Sequence, residues 1–319
     1  GDTWDIQDLQ LPTLDTSKYV GFDGDGYAIA AKGETVAVAY FGDFDDSVLL
    51  KSTDNGNTWT STVFLDFPVD KYTTDAGIDL DADGVMDTMY TTDGSGTVIL
   101  DDNGNAHVFF GNMRLLDADL SDGTTSFFGG TSGVMYWNES MGADDYANNP
   151  ISSPSLWYSS LPQMIASAQD LDGDGILNYV DFPLYYLSFD CLPSACLDNQ
   201  GNIFVSYSSL MENIDNGSQN FRHVNVVKSM DGGATWSTPK DVTEWTDWGG
   251  AQECVFARMD ENVDDKIRLI YQKDFEPGLA VRGDEDIIDM NEIRYLELDT
   301  FELSNTSTGV VNNLSLKHI

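Results

Sequence analysis

The chain has 319 residues, of which 54 are Asp or Glu and only 15 are Lys or Arg, so its formal net charge is −39. A field this negative repels phosphate groups, which excludes nucleic acids and anionic membrane surfaces as partners. Hydrophobic residues make up 41% of the chain, enough for a packed core, and no run of 18 apolar residues is present to span a membrane.

Short segments rich in Val, Ile, Tyr and Phe recur along the chain between clusters of Asp, Asn and Gly, which predicts an all-β antiparallel protein. A first strand, a polar turn and a second strand ending in an aromatic residue occur four times, and a third strand is predicted at 48–52, 134–137, 225–229 and 292–295. Four-stranded units repeated in this way predict a β-propeller forming a single domain over 1–319, with long insertions at 66–96 and 161–190. The aromatic residues that mark the second strands are Tyr40, Phe110, Tyr207 and Tyr271.

Two segments, 52–59 and 229–236, both read Ser-x-Asp-x-Gly-x-Thr-Trp. Here the chain resembles the Asp-box (BNR-repeat) β-propellers, whose best-known members are sialidases. In a hairpin the Asp caps backbone N–H groups, the Gly supplies a positive φ, and the Trp packs between neighbouring sheets. The resemblance implies a sialidase-like propeller and a structural role for the boxes, which in that family lie away from the active site. The residues concerned are Ser52, Asp54, Gly56, Trp59, Ser229, Asp231, Gly233 and Trp236.

The start of the chain, 1–4, reads Gly-Asp-Thr-Trp and matches the last four positions of the same box. If the match is real, 5–11 is an outer strand and the chain begins inside a blade. A chance match is the competing interpretation. The N-terminal strand could instead pair with strands from 305–319 to close the ring.

Two further segments, 79–87 and 170–178, share the pattern Asp-x-Asp-x-Asp-Gly-x-x-Asp/Asn, which resembles the calcium loops of dockerins and thrombospondin type 3 repeats. Oxygen ligands at positions 1, 3, 5, 7 and 9 wrap a hard cation, and Gly at position 6 permits the tight turn. The sequence therefore predicts two Ca²⁺ sites with a structural role; a solvated acidic turn is the alternative for each. The predicted ligands are Asp79, Asp81, Asp83, Val85 (carbonyl) and Asp87 in the first loop, and Asp170, Asp172, Asp174, Ile176 (carbonyl), Asn178 and Asp181 in the second.

The resemblance to sialidases implies three converging arginines, a Tyr nucleophile paired with Glu, and an Asp acid/base. Of the six arginines only Arg258 falls on a predicted inner strand, with Glu253 and Tyr271 as a candidate pair beside it. The sialidase mechanism is therefore not predicted, and no catalytic residue is assigned.

The three cysteines, Cys191, Cys196 and Cys254, are either free core thiols or include one disulfide, which would need an oxidising compartment. The three scattered histidines do not support a zinc site.

The interpretation is a calcium-stabilised Asp-box propeller, secreted or on the surface of a bacterial cell, that acts as a binding or adhesion module for a glycan or protein ligand. Further domains of the same polypeptide are expected. Two alternatives stay open, an exo-acting glycoside hydrolase of sialidase-like type and a structural spacer in a larger surface protein.

Overall fold

The computed structural model describes residues 8–12, 14, 16–22, 24–128, 130–143, 161, 163–244, 251–282, 286–288, 290–303 and 315–317. Nearly all regular structure in these residues is β-strand, and none of their helices is long and apolar enough to cross a membrane. The helical segments are short 3₁₀ turns at Glu139–Met141, Ala280–Arg282 and Thr300–Glu302.

Blade 1 is a four-stranded antiparallel sheet in chain order. Ala28 and Ala30 of its first strand pack into a core shared with the next blade, so the alternate residues Tyr27 and Ile29 point to the opposite face. Its strands are β1 (Tyr27–Lys32), β2 (Thr35–Tyr40), β3 (Ser47–Ser52) and β4 (Thr60–Leu65).

Blade 2 has longer inner strands and one extra short strand, which pairs with the second strand at the edge of the sheet. A register shift in the first strand lies between Thr92 and Gly96, where the ring of Phe41 from blade 1 leaves no room for a side chain on Gly96. The strands are β5 (Met89–Leu100), β6 (Ala106–Leu116), β7 (Ser126–Phe127), β8 (Val134–Asn138) and β9 (Met164–Ala166).

Blades 3 and 4 complete the set. β10 (Ile176–Asn178) precedes blade 3 in the chain and pairs in parallel with β19 (Ser315–Lys317), which follows blade 4. In the described residues blade 4 has three strands, and the short β16 (Asn262–Val263) from its first hairpin pairs in parallel with the inner strand of blade 3. Blade 3 contains β11 (Asp190–Asp198), β12 (Ile203–Asp215), β13 (Asn220–Ser229) and β14 (Lys240–Asp241). Blade 4 contains β15 (Glu253–Met259), β17 (Lys266–Asp274) and β18 (Glu292–Asp299), with β16 at Asn262–Val263.

The four sheets form a four-bladed β-propeller whose cores lie between neighbouring blades, and the predicted fold class is confirmed. The marker aromatic of each second strand pairs with an equivalent residue of the third strand, namely Val48, Met135, Asn225 and Arg294. In blades 2, 3 and 4 the marker aromatic is buried in the core shared with the preceding blade. The repeats found in the sequence are therefore the structural units.

The predicted box fragment at 1–4 and residues 5–7 of the expected N-terminal strand lie outside the described residues. Residues 8–11 are described and carry no strand. The expected C-terminal pairing partner, 305–319, is described only at β19, which pairs with β10 rather than with a blade.

Candidate functional site

The propeller has two ends that differ in construction. The turn face, as we name it, carries the short turns that follow the inner strands, at 33–34, 101–105, 199–202 and 260–265. The loop face, at the other end, carries the long connections 66–88, 117–133 and 167–189, and the described ends, 242–244 and 251–252, of the connection between blades 3 and 4. Both acidic loops predicted from the sequence lie in connections of the loop face.

An axial cavity of about 620 Å³ is lined by the inner strands of blades 1, 2 and 3 and by the first hairpin of blade 4. Small and apolar residues such as Ala30, Val98 and Ala195 form part of its wall, and charged residues supply the rest. The charged lining residues are Lys32, Asp102, Asp198, Asp260, Glu261, Asp264 and Arg268.

A second cavity of about 470 Å³ lies between blades 2 and 3 on the turn face. It shares Asp102, Leu197, Asp198 and Asn199 with the axial cavity, so the two form one groove from the axis to the rim. We call this the axial groove. Its outer part is lined mainly by amide and carboxylate side chains, which are Asp101, Asn103, Asn105, Asn138, Glu139 and Gln200.

Two matching turns fix the polar residues of the groove. The carboxylate of Asp198 accepts hydrogen bonds from the backbone N–H groups of Gln200 and Asn202, at 2.8 and 2.9 Å. Asp101 accepts in the same way from Asn103 and Asn105, at 2.9 and 2.7 Å. A glycine with positive φ completes each turn, and Asn199 and Gln200 are left exposed at the groove. Neither turn was singled out as a site from the sequence, although both copies of Asp-x-x-Gly-Asn are visible in it.

His107 sits at the base of the outer groove. Its Nδ1 lies 2.7 Å from the hydroxyl of Tyr136, and its ring stacks on that of Tyr136. Burial lowers the pKa of His107, although Asp101 opposes the shift. The imidazole is therefore neutral at pH 7, and the carboxylates dominate the charge of the groove.

The second acidic loop forms a cluster with a residue that the sequence did not point to. Carboxylate oxygens of Asp170, Asp172, Asp174 and Glu212 all lie within 4.8 Å of one another and can hold a metal ion. Glu212 is buried on β12 and binds the loop, accepting from the N–H groups of Leu171 at 2.7 Å and Asn178 at 2.8 Å. Four carboxylates this close repel one another unless a cation or protons intervene.

The remaining predicted ligands of this loop are placed differently. Asn178 contacts Glu212 through its side-chain amide, at 3.2 Å, and Ile176 donates its backbone N–H to Asp174. Asp181 is not part of the carboxylate cluster, and its side chain accepts instead from the N–H of Phe182. Glu212 thus stands where Asp181 was expected to complete the set of oxygen ligands.

The first acidic loop has the same backbone design. Asp79, Asp81 and Asp83 bring carboxylate oxygens within 4.8 Å of one another, which can hold a metal ion with fewer protein ligands. Asp79 accepts from the N–H groups of Asp83 and Gly84, as Asp170 accepts from Gly173 and Gly175. In both loops the residues at positions 4 and 6 have positive φ.

The other two ligands predicted for this loop lie at its end. The side chain of Asp87 accepts from the N–H of Leu80 at 2.7 Å, and Val85 donates its N–H to Asp83. Asp87 is not in the carboxylate cluster.

The two Ser-x-Asp-x-Gly-x-Thr-Trp segments form equivalent turns after β3 and β13. In the second, Asp231 accepts from the Ser229 hydroxyl and the Thr235 N–H, both at 2.8 Å, and Trp236 donates to the Gly233 carbonyl. In the first the corresponding bonds join Asp54 with Ser52 and Thr58, and Trp59 with Gly56.

The second of these turns also joins two blades. The Trp236 ring meets those of Phe109 and Tyr136 in blade 2, with centroids 5.9 and 5.2 Å apart. A side chain on Gly233, where φ is 94°, would collide with Tyr136. These contacts account for both the Trp and the Gly of the motif.

A buried ionic cluster lies at the loop-face end of blades 3 and 4. The Tyr185 hydroxyl lies 2.8 Å from Glu253 Oε1 and 3.0 Å from the Gly278 carbonyl, and the backbone N–H of Arg222 donates to Glu253 Oε2 at 2.6 Å. Burial raises the pKa of Glu253 to about 7, although Arg222 opposes the shift. The Tyr185 hydroxyl is the donor in both of its contacts, and its bond to Glu253 also opposes the rise in the pKa of Glu253.

The arginine pocket considered from the sequence is not assembled. Arg258 is exposed on β15, whereas Glu253 is buried at the start of the same strand and Tyr271 faces the core between blades 3 and 4. The buried arginines of the described residues are Arg114 and Arg222. All three cysteines are free and buried.

No protein-family model matches the chain, and no curated protein matches it. Among solved structures, it is similar to an ulvan lyase of polysaccharide lyase family 25 at 14% identity, covering 77% of this chain and 44% of the other, with a TM-score of 0.35. A Hadza microbial sialidase gives 14% identity, 77% and 41% coverage, and a TM-score of 0.36. An endo-arabinanase from Bacillus licheniformis gives 12% identity, 87% and 73% coverage, and a TM-score of 0.34.

The chain spans less than half the length of the first two of these proteins. A likeness this low carries no information on substrate or reaction.

Proposed function

We propose that this chain is a propeller module of an exported protein and that it binds a neutral glycan in the axial groove. The observation that carries the proposal is the lining of the groove, in which carboxylate and amide groups face a cavity shared by all blades. Carboxylates accept hydrogen bonds from sugar hydroxyls, and amides both donate and accept. The net charge of −39 disfavours anionic glycans.

The size of the groove favours an oligosaccharide. Ligand pockets typically have volumes of about 300–1,000 Å³. The two joined cavities, of about 620 and 470 Å³, extend from the axis to the gap between blades 2 and 3. A chain of several sugar units matches this length better than a single one.

The proposal includes the rest of the sequence interpretation. Residues 1–319 form one domain, the matching turns after β3 and β13 are Asp-boxes, and the two acidic loops bind Ca²⁺. Hard oxygen ligands with several carboxylates in an irregular loop suit Ca²⁺ better than Mg²⁺. Calcium at these positions fixes two long connections of the loop face, and export places the protein where calcium is abundant.

Titration calorimetry with a panel of neutral and anionic oligosaccharides tests this proposal. We expect binding of a neutral oligosaccharide that Asn199→Ala weakens by about tenfold, since two lost hydrogen bonds are worth roughly 1–2 kcal/mol. The matched control is Asn291→Ala, another exposed amide, which immediately precedes blade 4's third strand and does not line the groove. Tighter binding of anionic oligosaccharides, or equal affinities for both variants, would contradict the proposal.

Glycoside hydrolysis is the second candidate, and one observation favours it. Burial raises the pKa of Glu253 to about 7, in the range of a general acid, although Glu253 is buried at the loop-face end and does not line the axial groove. Release of reducing ends from an oligosaccharide that reaches the loop face, lost in Glu253→Gln while binding in the axial groove persists, would establish this activity. Binding without any released sugar would leave the module as a binder.

A further inference from the structure

One face of blade 4 is exposed to solvent at positions whose equivalents are buried in each of the other blades. On the second and third strands the residue pair next to the marker aromatic is Ala39–Leu49 in blade 1, Phe109–Tyr136 in blade 2 and Ser206–Val226 in blade 3. All six residues are at most 1% exposed. The equivalent pair in blade 4, Ile270–Tyr295, is 49% and 62% exposed.

The cores between successive blades show which side of blade 4 this exposed face lies on. In blades 1, 2 and 3 the equivalent third-strand residues, Leu49, Tyr136 and Val226, pack into the core shared with the next blade. Blade 4 contacts blade 3 with its other face, through Leu269 and Tyr271. Ile270 and Tyr295 therefore face the side where a following blade would lie, as does Ile293, which is 71% exposed.

Blade 1 has the complementary bare face. Its inner strand packs on blade 2 through Ala28 and Ala30, which turns Tyr27 and Ile29 toward the opposite side, where they are 59% and 65% exposed. In the part of the chain that the structure describes, the ring therefore has an open seam between blades 4 and 1, with an apolar surface on each side. Exposed apolar patches of this kind mark interaction sites.

We propose that the seam is the contact between two copies of this chain, with blade 4 of one copy packed on blade 1 of the other. This contact repeats the junction that the chain already forms three times between successive blades. Each copy carries one face of each type, so a two-fold dimer covers both seams at once.

Charge supports pairing between these two faces. On this face of blade 4, Arg258 lies beside Ile270 and Tyr295, whereas the neighbouring Arg268 is already paired with Asp264 and Glu297 of the same blade. Blade 1's inner strand is flanked by Asp25 and Glu34, both exposed. The opposite signs favour blade 4 against blade 1 over either face against itself.

Light scattering after size exclusion, over a wide range of protein concentration, tests the proposal. We expect a dimer whose dissociation constant rises about tenfold or more in Tyr295→Glu and in Tyr27→Glu, because each places a charge in the apolar centre of the contact. Met230→Glu is the matched control, since Met230 is 59% exposed on blade 3, away from the seam.

Mixing the two variants sharpens the test. A heterodimer of Tyr27→Glu with Tyr295→Glu keeps one unaltered junction, so the mixture should dimerise better than either variant alone. A monomeric wild-type protein at all concentrations overturns the proposal, and slow hydrogen exchange in β18 of that monomer would show that the chain covers its own seam. Dimers that persist unchanged in both variants also overturn it.

Discussion

Asp231 organises the turn between β13 and β14 with hydrogen bonds from Ser229 and Thr235. These bonds lower the pKa of Asp231, led by the hydroxyl of Thr235. A depressed pKa means that the carboxylate stabilises the fold above the usual carboxyl range and that this stability is lost as pH falls through the folded-state value. We expect Asp231→Ala to lower the free energy of unfolding by about 1 kcal/mol at pH 7, measured by urea denaturation.

The control for Asp231→Ala is Asp70→Ala, because Asp70 is exposed and its nearest cation, Lys18, is 3.9 Å away. The difference between the two variants should shrink on acidification. A difference that stays constant down to acid pH would show that the ionised carboxylate is not what holds the turn.

For Glu253 we expect the opposite dependence of stability on pH. Its pKa is raised from 4.5 to about 7, so the folded state binds a proton more tightly than the unfolded chain. Its contribution to stability is therefore present below the ordinary Glu range and declines as pH rises between these two values. Glu253→Gln keeps a neutral side chain at every pH, and we expect it to remove part of this decline. Between pH 5 and pH 8 the difference in unfolding free energy between the two proteins should therefore shift in favour of the variant, on the order of 1–3 kcal/mol.

Urea denaturation of both proteins at pH 5 and pH 8 measures this difference. The groups that surround Glu253 are Arg222, Tyr185 and His223, and they stay unchanged in the variant. Parallel loss of stability in both proteins between the two pH values would assign the pH dependence to other groups.

At the same scale, sequence reasoning succeeded where partners are local and failed where they are distant. The hydrogen bonds of Asp54 and Asp231 span at most four residues, so the spacing of the motif was enough to predict them. Glu212 and Asp170 are 42 residues apart in the sequence, and they meet only because β12 runs beside the second acidic loop. Nothing in the spacing marks one Glu among 54 acidic residues as that partner.

At the scale of elements, the second acidic loop is a long connection tied to β12 by Glu212. Unless a cation binds, the four clustered carboxylates repel one another and the loop costs conformational entropy to order. A ligand that binds only the folded chain stabilises it by about 2.7 kcal/mol at a hundredfold excess over its dissociation constant. We expect chelation to lower the melting temperature and calcium, rather than magnesium, to restore it.

The variant Glu212→Gln separates the two loops. It removes one charge from the second cluster and none from the first, so roughly half of the calcium-dependent rise in melting temperature should remain. Glu261→Gln, at the turn face, is the matched control and should keep all of it. Equal melting temperatures in chelator and in millimolar calcium would refute calcium binding by both loops.

The strand pattern of the elements was predictable because each repeat alternates apolar and polar residues between strong turn signals. All four predicted third strands are present, as β3, β8, β13 and β18. The pattern could not predict the exposed face of blade 4, because Ile270, Ile293 and Tyr295 look like core residues in the sequence. Only the arrangement of blades shows that no described residue covers them.

For the whole molecule, the net charge of −39 sets the dependence on salt. The folded chain holds the carboxylates closer together than the unfolded chain does, so their mutual repulsion destabilises it. Ions screen this repulsion over about 10 Å at 0.1 M ionic strength and about 3 Å at 1 M. We therefore expect the melting temperature, measured in chelator so that calcium does not contribute, to rise by several degrees as sodium chloride increases.

Ion identity supplies the control for this last prediction. Screening depends on ionic strength and not on the kind of ion. At concentrations below about 0.3 M, sodium chloride and sodium nitrate should therefore raise the melting temperature equally, whereas effects of the ions on apolar burial would make the two salts differ. Acidification provides a second check, because near the isoelectric point of about 4.1 the net charge vanishes and the salt effect should vanish with it. A melting temperature that falls with added salt at pH 7 would mean that attractive pairs, such as Lys51 with Glu139 and Arg268 with Asp264, outweigh the repulsion among the surplus carboxylates.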